Sequence, residues 1–382
     1  SFPTRRSSDL MKKLIVILMT LVLLVGSVSM YSFADEDIDE SAKTDFTNFT
    51  SIITEGIVDE PVEFQLLPDG YNWYDTEHKG TDMVIHYTTD VYEDGVTYEK
   101  FCRVYLPYGY DPDDKDTKYN ILYFQHGNSG SPNELFDHDM KKLHPMNLLN
   151  NIFDPDHQVV EPMIIVCPTF YLEYDEAEYV TTSDNPAGDG RFANEDSSIA
   201  PNYYREVVED LIPAVESQLN VYCDDFSEEG IKATRDHRAW AGYSRGSLCT
   251  YYMFNHDLEY FKYWIPMSAP LRLRDEIGLD NGPEAAYEYL KEAIDAHPDL
   301  DFFIYGTAGS DKDASTLPGT KELIQLAILM TEEFSYYAEQ TDTFSFGNDP
   351  DENNIYFCRS DFLHNDLYMP YSLYNAATVL FK

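Results

Sequence analysis

The sequence HRAWAGYSRGS, at residues 237–247, decides the fold of this chain. Residues 238–241 are predicted to form a buried strand, and residues 248–255 are predicted to form a helix. The pattern Gly242-x-Ser244-x-Gly246 lies between the two. A serine on a sharp turn between a strand and a helix is the arrangement of a nucleophile elbow, so Ser244 is the candidate nucleophile.

The residues on either side of this serine are consistent with such a turn. Side chains two residues before and two residues after the nucleophile would collide with the neighbouring strand and helix, so both residues must be small. Gly242 and Gly246 meet that requirement. The simpler interpretation is a serine that only caps the N-terminus of the following helix. The strand before Ser244 and the helix after it favour the nucleophile.

The segments around the elbow alternate between strands and helices. Short apolar runs, such as residues 120–124 and 163–167, are typical of strands that are covered on both faces, as in a parallel sheet. Residues 202–219 have an amphipathic pattern that predicts a helix, and Pro213 predicts a kink in it. The alternation predicts a single α/β domain over residues 76–382, with a mostly parallel central sheet and helices on both faces. The other predicted strands are residues 83–87, 101–106, 263–267, 302–305 and 355–358, and the other predicted helices are residues 283–296, 321–339 and 371–381.

A serine nucleophile needs two partners. Its hydroxyl reacts slowly at neutral pH unless a histidine accepts its proton and a carboxylate orients that histidine. In an α/β-hydrolase the chain order is serine, acid, histidine. Of the histidines after Ser244, only His364 follows a strand that comes after a plausible acid. That acid is Asp311 or Asp313, and we favour Asp311 because it lies nearer the end of the strand at residues 302–305.

Acyl transfer also needs two backbone N–H groups that face the developing negative oxygen. The Arg245 N–H directly follows the nucleophile at a helix N-terminus, where the helix dipole favours negative charge. The second donor is expected from the loop after the strand at residues 120–124, at Gly127 or Asn128. His126 lies in the same loop and is predicted to be structural, because it precedes Ser244 in the chain.

The composition is that of a globular and strongly acidic protein. Hydrophobic residues make up 43% of the 382 residues, and 69 Asp and Glu against 26 Lys and Arg give a formal net charge of −43. Such a surface repels phosphate backbones, so no nucleic-acid partner is predicted. The five cysteines contain no C-x-x-C pair and are interpreted as small buried side chains. The sequence predicts no cofactor and no metal.

The N-terminal residues are not expected to belong to the folded domain. A basic start, an apolar run at residues 14–25 and small residues up to Ala34 predict a secretory signal peptide over residues 11–34. The run is shorter than the roughly 20 residues that span a bilayer, so no stable membrane association is expected after cleavage. Residues 1–10 are interpreted as a non-native extension and residues 35–75 as an N-terminal arm or linker. The mature chain is expected to be secreted and extracellular.

Further motifs accompany the elbow along most of the chain. They are RVYLPYGYD at residues 103–111, YFQHG at 123–127, MIIV at 163–166, DLIPAVES at 210–217 and YFKYWIPMS at 260–268. With these motifs, the chain resembles the secreted esterase family of α/β-hydrolases that includes the feruloyl and acetylxylan esterases of carbohydrate esterase family 1. The resemblance implies Ser244 as nucleophile, His364 as base and Asp311 or Asp313 as acid. It also implies hydrolysis of feruloyl or acetyl esters on plant cell-wall polysaccharide such as xylan, through an acyl-enzyme.

Other functions remain open at the level of sequence. An acyltransferase or a peptidase could use the same triad, because the shape of the pocket decides between them. Arg245 and Ser247 stand where the family often has methionine and glycine, which would suit a catalytically degenerate homologue that binds carbohydrate. An acidic turn at residues 111–116 lacks the glycine and glutamate of an EF-hand calcium loop. The expected partner is an esterified polysaccharide or oligosaccharide, and the long loop at residues 171–201 is expected to shape its pocket.

Overall fold

The computed structural model describes residues 76–127, 130–136, 145–156, 160–172, 174–175, 180–181, 202–271, 282–309, 320–360, 364 and 368–382. All of them lie within Phe49–Lys382, the second of two units into which the chain divides. The predicted signal peptide and N-terminal arm lie outside the described residues. Within the described part of the chain, no helix is both long and apolar enough to cross a bilayer.

An eight-stranded sheet forms the centre of the described domain. The strands in chain order are β1 (Thr81–Thr89), β2 (Tyr98–Leu106), β3 (Asn120–Gln125), β4 (Met163–Cys167), β5 (Tyr174–Asp175), β6 (Val180–Thr181), β7 (Arg238–Tyr243), β8 (Tyr263–Met267), β9 (Phe303–Ala308) and β10 (Ile355–Arg359). In the sheet they are ordered β1-β2-β4-β3-β7-β8-β9-β10, whereas β5 and β6 form a separate antiparallel pair. This pair lies in the region where the sequence predicted only a long loop.

The direction of the strands confirms the predicted fold class. Strands β1 and β2 run antiparallel to their neighbours, and the six strands from β4 to β10 in the sheet are parallel. Every residue of β4, β7, β8, β9 and β10 is buried, because helices cover both faces of a parallel sheet. The carboxyl ends of parallel strands meet at one edge, and loops from that edge build the site in open α/β sheets.

Helices connect most of the parallel strands. They are α1 (Pro145–Ile152), α2 (Tyr203–Glu206), α3 (Ile212–Glu216), α4 (Glu228–Ala233), α5 (Arg245–Asp257), α6 (Gly282–Ala296), α7 (Thr320–Ala338) and α8 (Tyr368–Ala377), with a 3₁₀ turn at Arg235–His237. The predicted helices after Ser244 therefore exist with shifted ends. The short helices α1 and α4 were not predicted, because neither shows a long apolar stripe.

The helix predicted at residues 202–219 is interrupted rather than simply kinked. A π-helical segment, Val207–Leu211, separates α2 from α3, and the Ile212 N–H donates to the Val207 carbonyl five residues earlier. Pro213 has no N–H, and its ring would clash with the carbonyl of the residue four positions before it. The wider π-helical turn moves that carbonyl away. The π-helical turn therefore accommodates Pro213 within the helical region.

Two buried ion pairs fasten this helical region to the sheet. The guanidinium of Arg238, at the start of β7, donates to Glu216 through Nε at 2.6 Å and through Nη2 at 2.7 Å. The ammonium of Lys100 on β2 lies 2.9 Å from the Glu206 carboxylate. All four side chains are buried, so each charge is compensated by its partner.

The cysteines behave as the composition suggested. All five are free and buried. Burial raises the pKa of the Cys358 thiol to about 12, so this thiol stays protonated at neutral pH.

Candidate active site

Ser244 occupies the sharp turn between β7 and α5. Its backbone has φ 57° and ψ −113°, a conformation that non-glycine residues rarely adopt. The Ser244 N–H donates to the Met267 carbonyl at 2.9 Å, which holds the turn against the end of β8. Strain of this kind persists only where surrounding contacts fix it, and it is characteristic of functional positions.

The two glycines around Ser244 are required by close backbone contacts. A Cβ added at Gly242 would overlap the carbonyl of Gly246, and a Cβ added at Gly246 would overlap the carbonyl of Gln125 at the end of β3. The helix therefore starts directly against two strand ends. This is the steric reason for the Gly-x-Ser-x-Gly spacing.

The structure brings Ser244 and His364 together. Nε2 of His364 lies 3.0 Å from the Ser244 hydroxyl oxygen, although 120 residues separate them in the chain. Nδ1 of the same ring lies 2.7 Å from the hydroxyl oxygen of Ser268. The imidazole also stacks on the ring of Tyr243, with centroids 4.9 Å apart. His364 is thus held at both nitrogens and on one face.

The environment of His364 favours its neutral form. Burial lowers the pKa of its imidazole from 6.5 to about 4, and the hydrogen bond with Ser268 opposes that shift only in part. A neutral imidazole is the form that can accept a proton from a serine hydroxyl.

The structure does not describe the two candidate acids of the triad. Asp311 and Asp313 lie outside the described residues. The loop that carries them begins after Ala308, at the carboxyl end of β9, which is two strands away from the elbow strand β7. The described partner of Nδ1 is instead Ser268, which sequence reasoning missed. Its position directly after β8, the strand next to β7, was the signal that could have found it.

The loop after β3 approaches the nucleophile closely. A Cβ added at Gly127 would lie 3.3 Å from the Cβ of Ser244. The Gly127 N–H, however, donates to the carboxylate of Glu134 at 3.3 Å. In this conformation the Gly127 amide faces Glu134, and its role in an oxyanion hole stays a prediction. Asn128, the alternative, lies outside the described residues, and the Arg245 N–H opens helix α5 as predicted.

His126 supports this loop from within the core. Its Nδ1 lies 2.8 Å from the Gly127 carbonyl and its Nε2 lies 2.8 Å from the Thr169 hydroxyl. Burial lowers the pKa of His126 to about 4. Because both ring nitrogens are engaged by groups other than Ser244, the geometry fits a structural role.

A buried polar network continues from Thr169 into the sheet. The Lys100 ammonium donates to the Thr169 carbonyl at 2.8 Å and to the Glu206 carboxylate at 2.9 Å. Glu206 also accepts hydrogen bonds from the hydroxyls of Tyr87 and Tyr92. The loop beside Ser244 is thus anchored through His126 to a buried ion pair.

The side chain of Ser247 has a structural role at the start of α5. Its buried hydroxyl donates to the Ala269 carbonyl at 2.6 Å, which ties the first turn of α5 to the segment after β8. This departure from the usual family pattern therefore does not disturb the geometry of Ser244.

Among the described residues, one group could offer ligands to a metal ion. His78, Asp154 and Asp156 have ligand atoms within 4.8 Å of one another. Asp154 Oδ1 already lies 3.0 Å from His78 Nδ1 and accepts the Asp156 N–H at 2.8 Å. In the acidic turn at residues 111–116, Asp114 accepts the Asp116 N–H and the Thr117 hydroxyl, so it caps its own turn.

The chain is similar to known proteins in sequence and in fold. Endo-1,4-beta-xylanase Y of Acetivibrio thermocellus is 32% identical over 223 residues, which is 57% of this chain. The chain spans only 17% of the length of that protein. No protein-family model matches the chain.

Two solved structures share the fold over most of their length. A protein called FAE is 25% identical with a TM-score of 0.63, covering 85% of this chain and 95% of that chain. A serine-to-alanine mutant of the feruloyl esterase module from Clostridium thermocellum, complexed with sinapinate, is 25% identical with a TM-score of 0.62 and the same coverage. The chain therefore has the α/β-hydrolase fold and is similar to the feruloyl esterases of carbohydrate esterase family 1, which are serine carboxylic ester hydrolases.

Proposed function

We propose that this chain is a secreted serine esterase that removes feruloyl or acetyl groups from plant cell-wall polysaccharide such as xylan. The observation that carries the proposal is the 3.0 Å contact between the Ser244 hydroxyl and Nε2 of His364, at a turn with the backbone strain of a nucleophile elbow. A serine and a histidine in this relation form the reactive pair of acyl transfer.

The proposed reaction proceeds in two halves. Ser244 Oγ attacks the ester carbonyl carbon while His364 Nε2 accepts the hydroxyl proton. The tetrahedral oxyanion is stabilised by the Arg245 N–H and by a second N–H of the loop that follows β3. His364 then returns the proton to the departing sugar oxygen as the ester bond breaks, which leaves an acyl-enzyme. Water repeats the sequence, releases the acid and restores Ser244.

The proposed substrate class rests on the relatives. The similar C. thermocellum module is called a feruloyl esterase and was complexed with sinapinate, and the curated relative is called a xylanase. Hydroxycinnamoyl esters of xylan are therefore the first substrates to examine. Asp311 or Asp313 is proposed as the carboxylate of the triad, because both come soon after β9 in the sequence, and β9 runs parallel to β8 beside the elbow strand.

The decisive experiment compares the chain with its Ser244→Ala variant on methyl ferulate, methyl sinapate and aryl acetates. We expect kcat to fall by at least about 10³-fold, because the nucleophile is lost while binding remains. A fluorophosphonate probe should label the unmodified chain and not Ser244→Ala. Ser247→Ala is the matched control, since it removes a nearby buried serine hydroxyl and should keep the label. Absence of hydrolysis on every ester, or labelling that survives Ser244→Ala, would refute the proposal.

Secretion is tested separately. The chain expressed with its N-terminal residues in a secreting host is expected in the medium, with Asp35 as its first residue. N-terminal sequencing of the exported protein checks this. Retention of residues 11–34 on the exported chain would contradict the predicted cleavage.

A further inference from the structure

Ser268 lies at the carboxyl end of β8, beside the elbow. We propose that Ser268 is a positioning residue for His364: its hydroxyl oxygen accepts the Nδ1–H of the imidazole and so fixes the tautomer that leaves Nε2 free to take the proton of Ser244. The inference rests on the proposed function for its consequence in catalysis. It rests on the 2.7 Å contact between Ser268 Oγ and His364 Nδ1 for its geometry.

The sheet fixes where Ser268 stands. Strands β7 and β8 are parallel and pair Tyr243 with Met267, so Ser244 and Ser268 leave the sheet at the same level. The Ser268 N–H donates to the Thr307 carbonyl of β9 at 2.8 Å, and its side chain is almost fully buried. The hydroxyl that meets Nδ1 is therefore held by two neighbouring strands rather than by a free loop.

The backbone of Ser268 is also unusual. Its φ is 64°, in the left-handed region that disfavours residues with a side chain. Ser244 and Ser268, which contact the two imidazole nitrogens, thus both have a positive φ. Strained residues require surroundings that over-determine their conformation.

The direction of the hydrogen bond follows from the chemistry of the ring. A neutral imidazole carries one proton, and a base that accepts through Nε2 must carry that proton on Nδ1. The Ser268 oxygen must then be the acceptor. If Ser268 donated instead, Nε2 would carry the proton and could not deprotonate Ser244.

Ser268 complements a carboxylate and does not replace one. A neutral hydroxyl can orient the ring and select its tautomer, but it cannot offset the positive charge that forms on His364 during the reaction. We therefore expect removal of the Ser268 hydroxyl to cost much less than removal of the triad acid, Asp311 or Asp313.

The test uses the Ser268→Ala variant and reads out the imidazole directly. With ¹⁵N-labelled histidine, the His364 resonances are assigned by their loss in His364→Gln. In the unmodified chain we expect protonated Nδ1. In Ser268→Ala we expect a larger fraction of the tautomer protonated at Nε2 than in the unmodified chain, and a His364 pKa lower by about half a unit to one unit, the size of one hydrogen bond that favours the charged ring. In kinetics, we expect kcat to fall by about 3- to 10-fold while KM changes by less than about twofold. The acidic limb of the pH profile should move to lower pH, as the pKa of His364 does.

Controls separate positioning from packing. Ser247→Ala removes another buried hydroxyl, one that bonds Ala269, and should leave the His364 tautomer and pKa unchanged. Ser268→Gly removes the same hydroxyl but suits a positive φ, so it should reproduce the imidazole changes without backbone strain. Tyr243 is the titratable side chain among the described contacts of the ring, and Tyr243→Phe shows whether it contributes to the pH dependence.

The outcomes are distinct. Identical His364 tautomer and pKa in Ser268→Ala and in the unmodified chain would overturn the inference, whatever the activity. If the unmodified chain hydrolyses no ester, but Ser268→Ala changes the imidazole as expected, the proposed function is refuted and the role of the Ser268 contact is supported.

Discussion

His364 is buried at the point where its two ring nitrogens meet Ser244 and Ser268. Burial disfavours the imidazolium, because the charged ring loses hydration. His364 therefore stays neutral, and able to act as a base, at an acidic pH that would protonate an ordinary histidine.

This gives a prediction for the pH profile. Since the active form is neutral and the pKa of His364 is lowered from 6.5 to about 4, kcat/KM on methyl ferulate should fall only as pH decreases through about 4. The measurement is kcat/KM between pH 3 and 8, with stability checked at each pH by return to pH 7. A midpoint between pH 6 and 7 would contradict this prediction, and would show that hydration or the triad carboxylate stabilises the imidazolium enough to cancel the effect of burial.

At the scale of secondary-structure elements, the junction of β7 and α5 depends on the absence of two side chains. A Cβ at Gly242 would first meet the Gly246 carbonyl, and a Cβ at Gly246 would first meet the Gln125 carbonyl, so at both positions the nearest obstacle is backbone. Any side chain there must move helix α5 away from the sheet.

Gly242→Ala should therefore destabilise the domain strongly. The added methyl group overlaps the Gly246 carbonyl, and overpacking against backbone costs at least about 1–3 kcal/mol. Thermal unfolding of Gly242→Ala and of Gly127→Ala makes the comparison, because the Gly127 methyl would meet its nearest atom at 3.3 Å. Equal melting temperatures for the two variants would contradict the steric account of the elbow.

A second element-scale dependence joins β2 to the helix that begins at Tyr203. Lys100 and Glu206 are both buried, and Lys100 also bonds the Thr169 carbonyl beside His126. Burial by itself lowers the pKa of Lys100, and the Glu206 carboxylate raises it in opposition. The pair is thus tolerated because each charge lies against the other.

Lys100→Met should cost about 3–5 kcal/mol of unfolding free energy, because it leaves the Glu206 charge buried without its partner. The double variant Lys100→Met with Glu206→Gln should recover part of that loss. Arg205→Met is the control. It breaks the exposed ion pair between Arg205, the residue before Glu206, and Glu209, and it should lower the unfolding free energy by less than about 1 kcal/mol. Denaturant unfolding measures all of them. A Lys100→Met chain as stable as Arg205→Met would mean that the buried pair contributes nothing.

At the scale of the whole molecule, charge is the dominant feature. A formal net charge of −43 places like charges near one another over the surface of a single chain. Mutual repulsion of this kind keeps a protein soluble but opposes its compact state. The sheet core has to offset this repulsion.

Salt should therefore stabilise the folded chain. Raising NaCl from about 0.02 to 0.5 M shortens the Debye length from above 10 Å to a few Å and screens the repulsion, so the melting temperature should increase. Calorimetry or circular dichroism at pH 7 provides the measurement, and sucrose of equal osmolality separates screening from solvent exclusion. A melting temperature that falls with salt would show that attractive pairs outweigh the net charge.

The fold and half of the site were predictable because they follow from local patterns. Apolar runs identified the buried strands to within a few residues, since a parallel strand must be apolar on both faces. Gly-x-Ser-x-Gly located Ser244, because the turn admits no larger residue at its flanks. Chain order then selected His364, and the two side chains meet in the structure. All three inferences use spacing along the chain or steric limits that act within a few residues.

Other features depend on contacts between distant parts of the chain. Ser268 acquires its place beside His364 only when β8 lies next to β7. Its position directly after a strand makes it a candidate for the site, but the sequence alone does not pair it with His364. The Gly127 amide is turned toward Glu134 by the course of a loop, and the π-helical segment before Pro213 relieves a clash that a kink could also have relieved. In each case the local sequence admits more than one conformation, and contacts with distant parts of the chain select one of them.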